Sequence, residues 1–148
     1  MYVQVVFAVK NRNALLNKKI RNKVFGYMSS IISGLQHKSI IVNGVSDHVH
    51  IFFGLNPSKS ISDLVHEVKR STTLFINKEK LCPYKFAWQE GYGGFTYSRS
   101  QVNDVYQYIL NQEEHHKKTT FKDEYILHLK KFEIDFDERF LFNFIDNV

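Results

Sequence analysis

His48-Val49-His50-Ile51-Phe52-Phe53 is the stretch that most strongly indicates how this chain folds. It follows a Ser-Asp pair typical of a turn and is rich in β-branched and aromatic residues, which predicts a β-strand. Because successive side chains on a strand point to opposite faces, the two histidines share one face with Phe52. The same strand therefore offers an apolar face to a core and places two imidazoles side by side on the opposite face.

Hydrophobic periodicity predicts the other elements and their order. Ser60 and Asp63 have the spacing of a capping box, which indicates the start of the second helix. The order strand, helix, strand, strand, helix, strand, strand, helix is a split βαβ pattern, which predicts an α+β fold with one antiparallel sheet and two helices on one face. The third helix is then free to cover Phe52 on the other face. We expect strands over residues 2–9, 39–45, 48–55, 85–90 and 95–98, and further helices over residues 17–35, 100–116 and 121–132.

Length and composition indicate an ordinary globular protein. With 148 residues, 43% hydrophobic and 24% charged, we expect one domain over 1–148, with no structure assigned to a tail at about 133–148. Cys82 is the single cysteine, which excludes a disulfide framework and a thiolate cluster and suits the reducing cytoplasm. The first residues indicate a strand rather than a signal peptide, and no apolar run reaches the length of a membrane span.

Charge is distributed unevenly along the chain. The net charge is +5, and residues 1–46 contain seven Lys or Arg and no Asp or Glu, whereas residues 120–148 contain seven acidic and four basic residues. A basic half suits a polyanionic partner, of which nucleic acid is the usual one. A solvated basic helix accounts for the charge equally well.

His48 and His50 are candidate metal ligands. Two imidazoles on one strand face suit several first-row metals, and they suit Mg²⁺ when oxygen ligands and phosphate complete the shell. The alternative is that both histidines merely cap the edge of a strand, because about 0.3 His-x-His pairs are expected by chance in a chain with seven His, which makes the motif alone a weak signal.

Tyr108 and Gln112 lie one helical turn apart on the predicted third helix. Tyr106 belongs to the apolar stripe of that helix and is expected in the core, whereas Tyr108 points away from the centre of the stripe. A phenol with a pKa near 10 is a poor nucleophile at neutral pH, but it becomes plausible when a metal polarises the phosphate under attack. The Gln112 amide oxygen could be a third ligand and His115 an auxiliary one; without the histidines, a surface tyrosine would be the better interpretation.

Five basic residues are candidate phosphate contacts. For the pair on the second helix the alternative is a normal solvated face, and for the pair that closes the third helix it is stabilisation of the helix dipole. The candidates are Arg12, Lys69, Arg70, Lys117 and Lys118.

Three segments together resemble one family. They are His48-Val49-His50, the run Trp88-Gln89-Glu90-Gly91-Tyr92-Gly93-Gly94-Phe95-Thr96-Tyr97-Ser98, and the run Tyr108-Ile109-Leu110-Asn111-Gln112-Glu113-Glu114-His115-His116. This combination resembles the single-tyrosine HUH transposases of bacterial insertion sequences and the related REP-associated tyrosine transposases. The resemblance covers nearly the whole chain, from Tyr2 to about Phe142.

The resemblance implies a ferredoxin-like, RRM-like fold and a homodimer, with each active site built either within one chain or shared between the two subunits. It implies that Tyr108 attacks a phosphodiester of single-stranded DNA, forming a 5′-phosphotyrosine link and a free 3′-hydroxyl. His48, His50 and Gln112 would hold Mg²⁺ or Mn²⁺ at the scissile phosphate. The expected partner is single-stranded DNA with a hairpin, and the expected location is the bacterial cytoplasm, at the nucleoid when DNA is bound.

Two other classes of function remain open from the sequence. The first is a non-catalytic nucleic-acid-binding protein on the same fold, such as an inactive or domesticated transposase, although the central strands lack the aromatic motif by which RRM domains stack bases. The second is a small metal-dependent hydrolase with a substrate other than nucleic acid, which the basic residues 1–46 disfavour.

Overall fold

The computed structural model describes residues 1–12 and 15–114, together with Asp123 and Ile126. These two residues are helical, and the rest of the helix predicted over 121–132 and the tail at 133–148 lie outside the described residues. Short 3-10 turns lie at Lys10–Arg12 and Arg99–Gln101. The strands and helices are β1 (Tyr2–Ala8), α1 (Lys18–Gly34), β2 (Lys38–Gly44), β3 (His48–Gly54), α2 (Ile61–Lys78), β4 (Gly93–Tyr97) and α3 (Val102–Leu110).

The four strands form one antiparallel sheet in the order β2-β3-β1-β4. The register pairs Ala8 with His48 at one end of the central strands and Tyr2 with Gly54 at the other. This topology confirms the predicted ferredoxin-like α+β fold. The histidine stretch forms β3, an inner strand paired on both sides.

The strand predicted over residues 85–90 does not form, and that prediction was wrong. Only Trp88 pairs with the sheet, through an isolated bridge to Val9. The Phe86 amide donates to the Asn77 side chain at 2.8 Å instead of to a neighbouring strand. Two backbone hydrogen bonds flank the bridge, from Gln89 N–H to the Ala8 carbonyl at 2.8 Å and from Lys10 N–H to the Ala87 carbonyl at 3.0 Å. The Trp88 indole donates to Thr72 Oγ1 at 3.0 Å, so side chains hold the rest of this segment.

The larger core lies between one face of the sheet and helices α1 and α2. Alternate residues of β1 and β3 supply its sheet side, as their period-two pattern predicts. The Ser60 hydroxyl accepts a hydrogen bond from the Asp63 amide, so the predicted start of α2 is confirmed. Tyr27 and Phe75 stack between the helices with ring centroids 4.2 Å apart. Among the described residues, no helix is both long and apolar enough to cross a membrane.

Helix α3 covers the opposite face of the sheet, as predicted from the need to bury Phe52. Phe52 is fully buried there, together with Val105 and Ile109 of α3. The prediction of one helix over 100–116 needs correction, because α3 ends at Leu110 and Asn111 forms a turn before residues 112–114 become helical again.

The two tyrosines of α3 also differ from expectation. Tyr106 is half-buried and lines an open cavity of about 590 Å³ instead of lying in the core. Tyr108 packs against the smaller core beneath α3 instead of pointing away from the apolar surface.

Candidate active site

His48 and His50 lie on the face of the sheet that α3 covers, the same face as Phe52. Both are buried, with 0% and 4% of their surface exposed. Their ring centroids are 5.3 Å apart and the rings are inclined by 68°. The backbone of β3 sets this distance between the two rings, because residues two apart on a strand point to the same face.

Each imidazole is oriented by a hydrogen bond at Nδ1. His48 Nδ1 lies 2.8 Å from Asp47 Oδ1, and His50 Nδ1 lies 2.9 Å from Gln4 Oε1. A carboxylate or amide oxygen only accepts, so in both rings Nδ1 carries the proton and donates it. Nε2 is then the basic nitrogen of each ring, and both Nε2 atoms are buried. This is the arrangement that histidine metal ligands use, with the second nitrogen fixed by an outer acceptor.

Tyr108, on α3, lies close to this pair of histidines. Its ring centroid is 6.2 Å from that of His50, with the rings inclined by 75°. Residues separated by some sixty positions in the sequence therefore meet because α3 lies across β3.

Asn43 fixes the end of α3 that carries Tyr108. Asn43 pairs with His50 across β2 and β3, and its side-chain amide donates to the carbonyls of Ile109 at 2.9 Å and Leu110 at 3.2 Å. The last carbonyls of a helix have no partner within the helix, so this amide acts as a C-terminal cap. The cap places the end of α3 over the histidine half of β3.

Gln112 lies just beyond this cap. It is completely buried, and neither Oε1 nor Nε2 of its amide has a hydrogen-bond partner within the described residues. A buried amide without partners costs about 1–3 kcal/mol, so such a group calls for a ligand. Asn43 binds the carbonyls of residues 109 and 110, just before Gln112 in the chain. The Gln112 side chain therefore lies at the end of the sheet that carries the histidines.

The donor set suits a cation that takes mixed nitrogen and oxygen ligands. Among residues 1–12 and 15–114, no three His, Cys, Asp or Glu side chains converge on a possible metal position. Two imidazoles and one neutral amide oxygen leave room for water and phosphate oxygens, as hard divalent cations require. Asp47, hydrogen-bonded behind His48, supplies the negative charge of the site.

Three residues that sequence reasoning missed support this geometry. Gln4 and Asp47 orient the imidazoles, and Asn43 caps the tyrosine helix. Gln4 did carry a signal, because it is the one amide side chain in the apolar run of the first strand. Asp47 next to His48 looked like an ordinary turn residue, and nothing in the sequence distinguished Asn43.

The predicted phosphate contacts have different environments. Lys69 is half-buried, and its ammonium donates to the carbonyls of Gln89 at 2.9 Å and Gly91 at 2.6 Å. Burial lowers the pKa of Lys69 to about 8, against an opposing effect of Glu90. The alternative of a normal solvated face therefore does not describe Lys69, and the predicted phosphate contact, which stays a prediction, would have to replace these two bonds.

Two of the remaining candidates lie on described elements, and the others lie beyond the described part of the chain. Arg70 is exposed and forms an ion pair with Glu67 at 2.7 Å, one turn away on α2. Arg12 belongs to the 3-10 turn after β1. The other three, His115, Lys117 and Lys118, lie outside the described residues.

A basic cavity opens beside the capped end of α3. Its volume is about 260 Å³, and Lys18 and Arg21 of α1 line it together with Asn43 and Glu113. The Lys18 ammonium lies 2.8 Å from the Glu113 carboxylate, so the cavity retains one net positive charge. This cavity joins the basic face of α1 to the histidine end of the sheet.

Comparisons with known proteins agree with this architecture. A family model described as transposase, IS200 like, matches residues 1–112, a range that ends at Gln112. The fold is similar to that of a protein from Deinococcus radiodurans R1 classed as a candidate transposase, with a TM-score of 0.59 and 20% identity, covering 76% of this chain and 90% of that one.

A second structure with the same fold is a REP-associated tyrosine transposase bound to a REP hairpin, with a TM-score of 0.60 and 12% identity, covering 78% of this chain and 67% of that one. The search of curated proteins found no relative. Because the family model spans three quarters of the sequence and the sheet topology agrees, this chain belongs to the IS200-like transposase family.

Proposed function

We propose that this protein is a single-tyrosine HUH transposase that cleaves and rejoins single-stranded DNA, with Tyr108 as the nucleophile. The observation that carries the proposal is the meeting of the Tyr108 ring with the buried pair His48 and His50, at 6.2 Å between the Tyr108 and His50 centroids. A half-buried phenol thus lies next to two buried, oriented imidazoles beneath one helix. Membership of the transposase family supports DNA as the substrate.

In the proposed step, Tyr108 Oη attacks the phosphorus of a DNA phosphodiester and loses its proton. The bond between phosphorus and the 3′-oxygen breaks, the 3′-oxygen takes up a proton, and a 5′-phosphotyrosine link remains. Rejoining is the same exchange with a new 3′-hydroxyl, so neither water nor a nucleotide cofactor is consumed. The enzyme contributes mainly by holding the phenol and phosphate in line, which lowers the entropic part of the barrier.

His48, His50 and Gln112 are the residues proposed to hold Mg²⁺ or Mn²⁺. The fit rests on the buried Gln112 amide and on the Nδ1 hydrogen bonds that orient the Nε2 atoms. When bound, the cation would polarise the phosphate and stabilise the charge that develops on it. The sheet keeps both imidazoles in place, and the cover of α3 excludes bulk water from the pair.

The proposed partner is single-stranded DNA that carries a hairpin. The basic cavity beside α3 supports it, because Lys18 and Arg21 offer positive charge close to the proposed site. The REP-associated relative was solved with a hairpin bound. A homodimer, with each site built from one or from two subunits, is part of the same proposal.

The test is to incubate the protein with single-stranded DNA from the flanks of its own gene in the presence of Mn²⁺. We expect wild-type protein to form an adduct that survives denaturation and Tyr108→Phe to form none. Tyr106→Phe is the matched control, since Tyr106 lies on the same helix but lines the open cavity, and it should retain the adduct. A chelator should stop the reaction reversibly.

Two outcomes would contradict the proposal. Adduct formation by Tyr108→Phe would show that another residue is the nucleophile. Binding of hairpin DNA without cleavage of any single strand, whether or not Mn²⁺ is present, would instead favour a non-catalytic binding protein.

A further inference from the structure

We propose that Gln4 is a positioning residue of this site, which fixes the tautomer and the ring orientation of His50 and is itself held by Tyr97. The inference rests on the proposed function, because it assigns how one of the proposed ligands is prepared to bind a cation. It concerns a chain of three buried side chains from three different strands.

The geometry of this chain is continuous. Gln4 Oε1 lies 2.9 Å from His50 Nδ1, and Gln4 Nε2 donates to the Tyr97 hydroxyl at 2.6 Å. Gln4 is completely buried, and Tyr97 is 6% exposed. The two bonds engage both polar atoms of the Gln4 amide, and in this arrangement its oxygen faces His50.

A fixed amide oxygen decides the state of the imidazole. Because that oxygen accepts and never donates, the proton of neutral His50 must reside on Nδ1, and the lone pair must reside on Nε2. An isolated imidazole would divide its proton between the two nitrogens. Gln4 therefore prepares Nε2 of His50 as a ligand before any cation arrives, as an outer acceptor does for most histidine ligands.

The position of Gln4 within an apolar strand argues against a purely structural role for its side chain. Gln4 is flanked by Val3, Val5 and Val6 in β1, where an apolar side chain would pack without any requirement for partners. Burying an amide is unfavourable unless its polar atoms are satisfied, so the position gains nothing in stability over a well-packed hydrophobic residue. The Gln4 amide instead fixes the orientation of the His50 ring through its hydrogen bond to Nδ1.

The two imidazoles are also prepared differently. His48 donates to the Asp47 carboxylate, whereas His50 donates to a neutral amide. A carboxylate behind both rings would concentrate negative charge in the site, while one carboxylate and one amide leave a moderate charge. We infer that Gln4 also limits how tightly the site holds a divalent cation.

The test compares Gln4→Met, Gln4→Glu and Tyr97→Phe with wild-type protein. Methionine has similar length but no acceptor of comparable strength, whereas glutamate keeps an oxygen for Nδ1–H. Tyr97→Phe leaves Gln4 in place and removes only its anchor. The readouts are the ¹⁵N chemical shifts of the His50 ring without metal and the Mn²⁺ affinity by calorimetry, with circular dichroism confirming that each variant is folded.

We expect His50 in wild-type protein to be the Nδ1–H tautomer and in Gln4→Met to be a mixture. Loss of an outer acceptor typically weakens metal binding by about 10–100-fold, which we expect for Gln4→Met. Gln4→Glu should keep the Nδ1–H tautomer and bind Mn²⁺ more tightly than wild-type protein, and an unchanged affinity would contradict the limit that we assign to the neutral amide. Tyr97→Phe should fall between wild-type protein and Gln4→Met, and it keeps the test decisive if Gln4→Met does not fold.

The inference is overturned if folded Gln4→Met or, failing that, Tyr97→Phe keeps both the Nδ1–H tautomer and the wild-type Mn²⁺ affinity. Failure of the proposed function is a separate result. It would appear as wild-type protein that binds no Mn²⁺ and forms no DNA adduct, whatever the state of the His50 ring.

Discussion

Asn43 offers the sharpest test of how the tyrosine helix is held. Replacing it with alanine removes the amide that donates to the Ile109 and Leu110 carbonyls, at 2.9 and 3.2 Å. The first bond is half-buried and the second is exposed, so the second contributes less. We therefore expect Asn43→Ala to weaken docking of α3 by about 1 kcal/mol, a roughly fivefold shift toward the undocked helix.

Asn43→Asp discriminates the capping role from a simple change of volume. Aspartate has nearly the shape of asparagine, but it removes both donors and brings a carboxylate to the negative end of the helix dipole. We expect an additional loss of about 0.3–1 kcal/mol relative to alanine. The closer mimic in shape should therefore be the more damaging substitution.

Hydrogen exchange of the α3 amides measures docking directly, and the rate of adduct formation measures its consequence at Tyr108. Asn103→Ala is the control, because Asn103 is exposed on the same helix and far from its capped end. Wild-type exchange rates in Asn43→Asp would refute the capping argument. So would a loss of protection in Asn103→Ala as large as that in Asn43→Ala.

Two further substitutions test the environment of the site. Lys69 has a pKa of about 8 in the folded protein against 10.5 in the unfolded chain, so the unfolded chain binds more protons between these pH values and the free energy of unfolding should rise with pH across that window. In urea unfolding measured at several pH values, Lys69→Met should lack this rise. Parallel pH profiles for the variant and wild-type protein would contradict the prediction. Gly44→Ala would place a Cβ 2.3 Å from the His48 carbonyl oxygen and 2.9 Å from Val49 Cα, so we expect a loss of about 1–3 kcal/mol in thermal unfolding together with slower adduct formation. Gly26→Ala, with nothing within 4 Å of the added Cβ, is the matched control; it should be neutral or stabilising, and equal losses in the two variants would show that the clash is not the cause.

Periodicity made the two faces of β3 predictable. An alternating strand between helices has one physically reasonable placement, with its aliphatic face toward α1 and α2, and Phe52 then required a cover. The same reasoning identified α3 as that cover and so brought Tyr108 near His50. Local patterns were sufficient here because each element has one dominant apolar surface.

Interactions between distant polar side chains were not predictable in the same way. Gln4 and Tyr97 are 93 residues apart, and neither residue alone indicates a hydrogen bond to the other. Lys69 looked like a surface residue because helical periodicity gives a direction but not the course of the loop that passes above it. The third helix breaks at Asn111, where Asn43 from another element caps its end, and propensity along the helix does not indicate a cap from a distant strand.

The two-sided use of β3 has a consequence for how copies of such a gene lose activity. Inserting or deleting one codon within the strand would turn the imidazoles into the aliphatic core and the core residues toward α3, so both cores would be disrupted and folding would be strongly disfavoured. Point substitutions at His48 or His50 leave the other face untouched. Selection for a foldable chain alone would thus preserve the spacing of the two positions, and inactive descendants should be recognised by which residues occupy them.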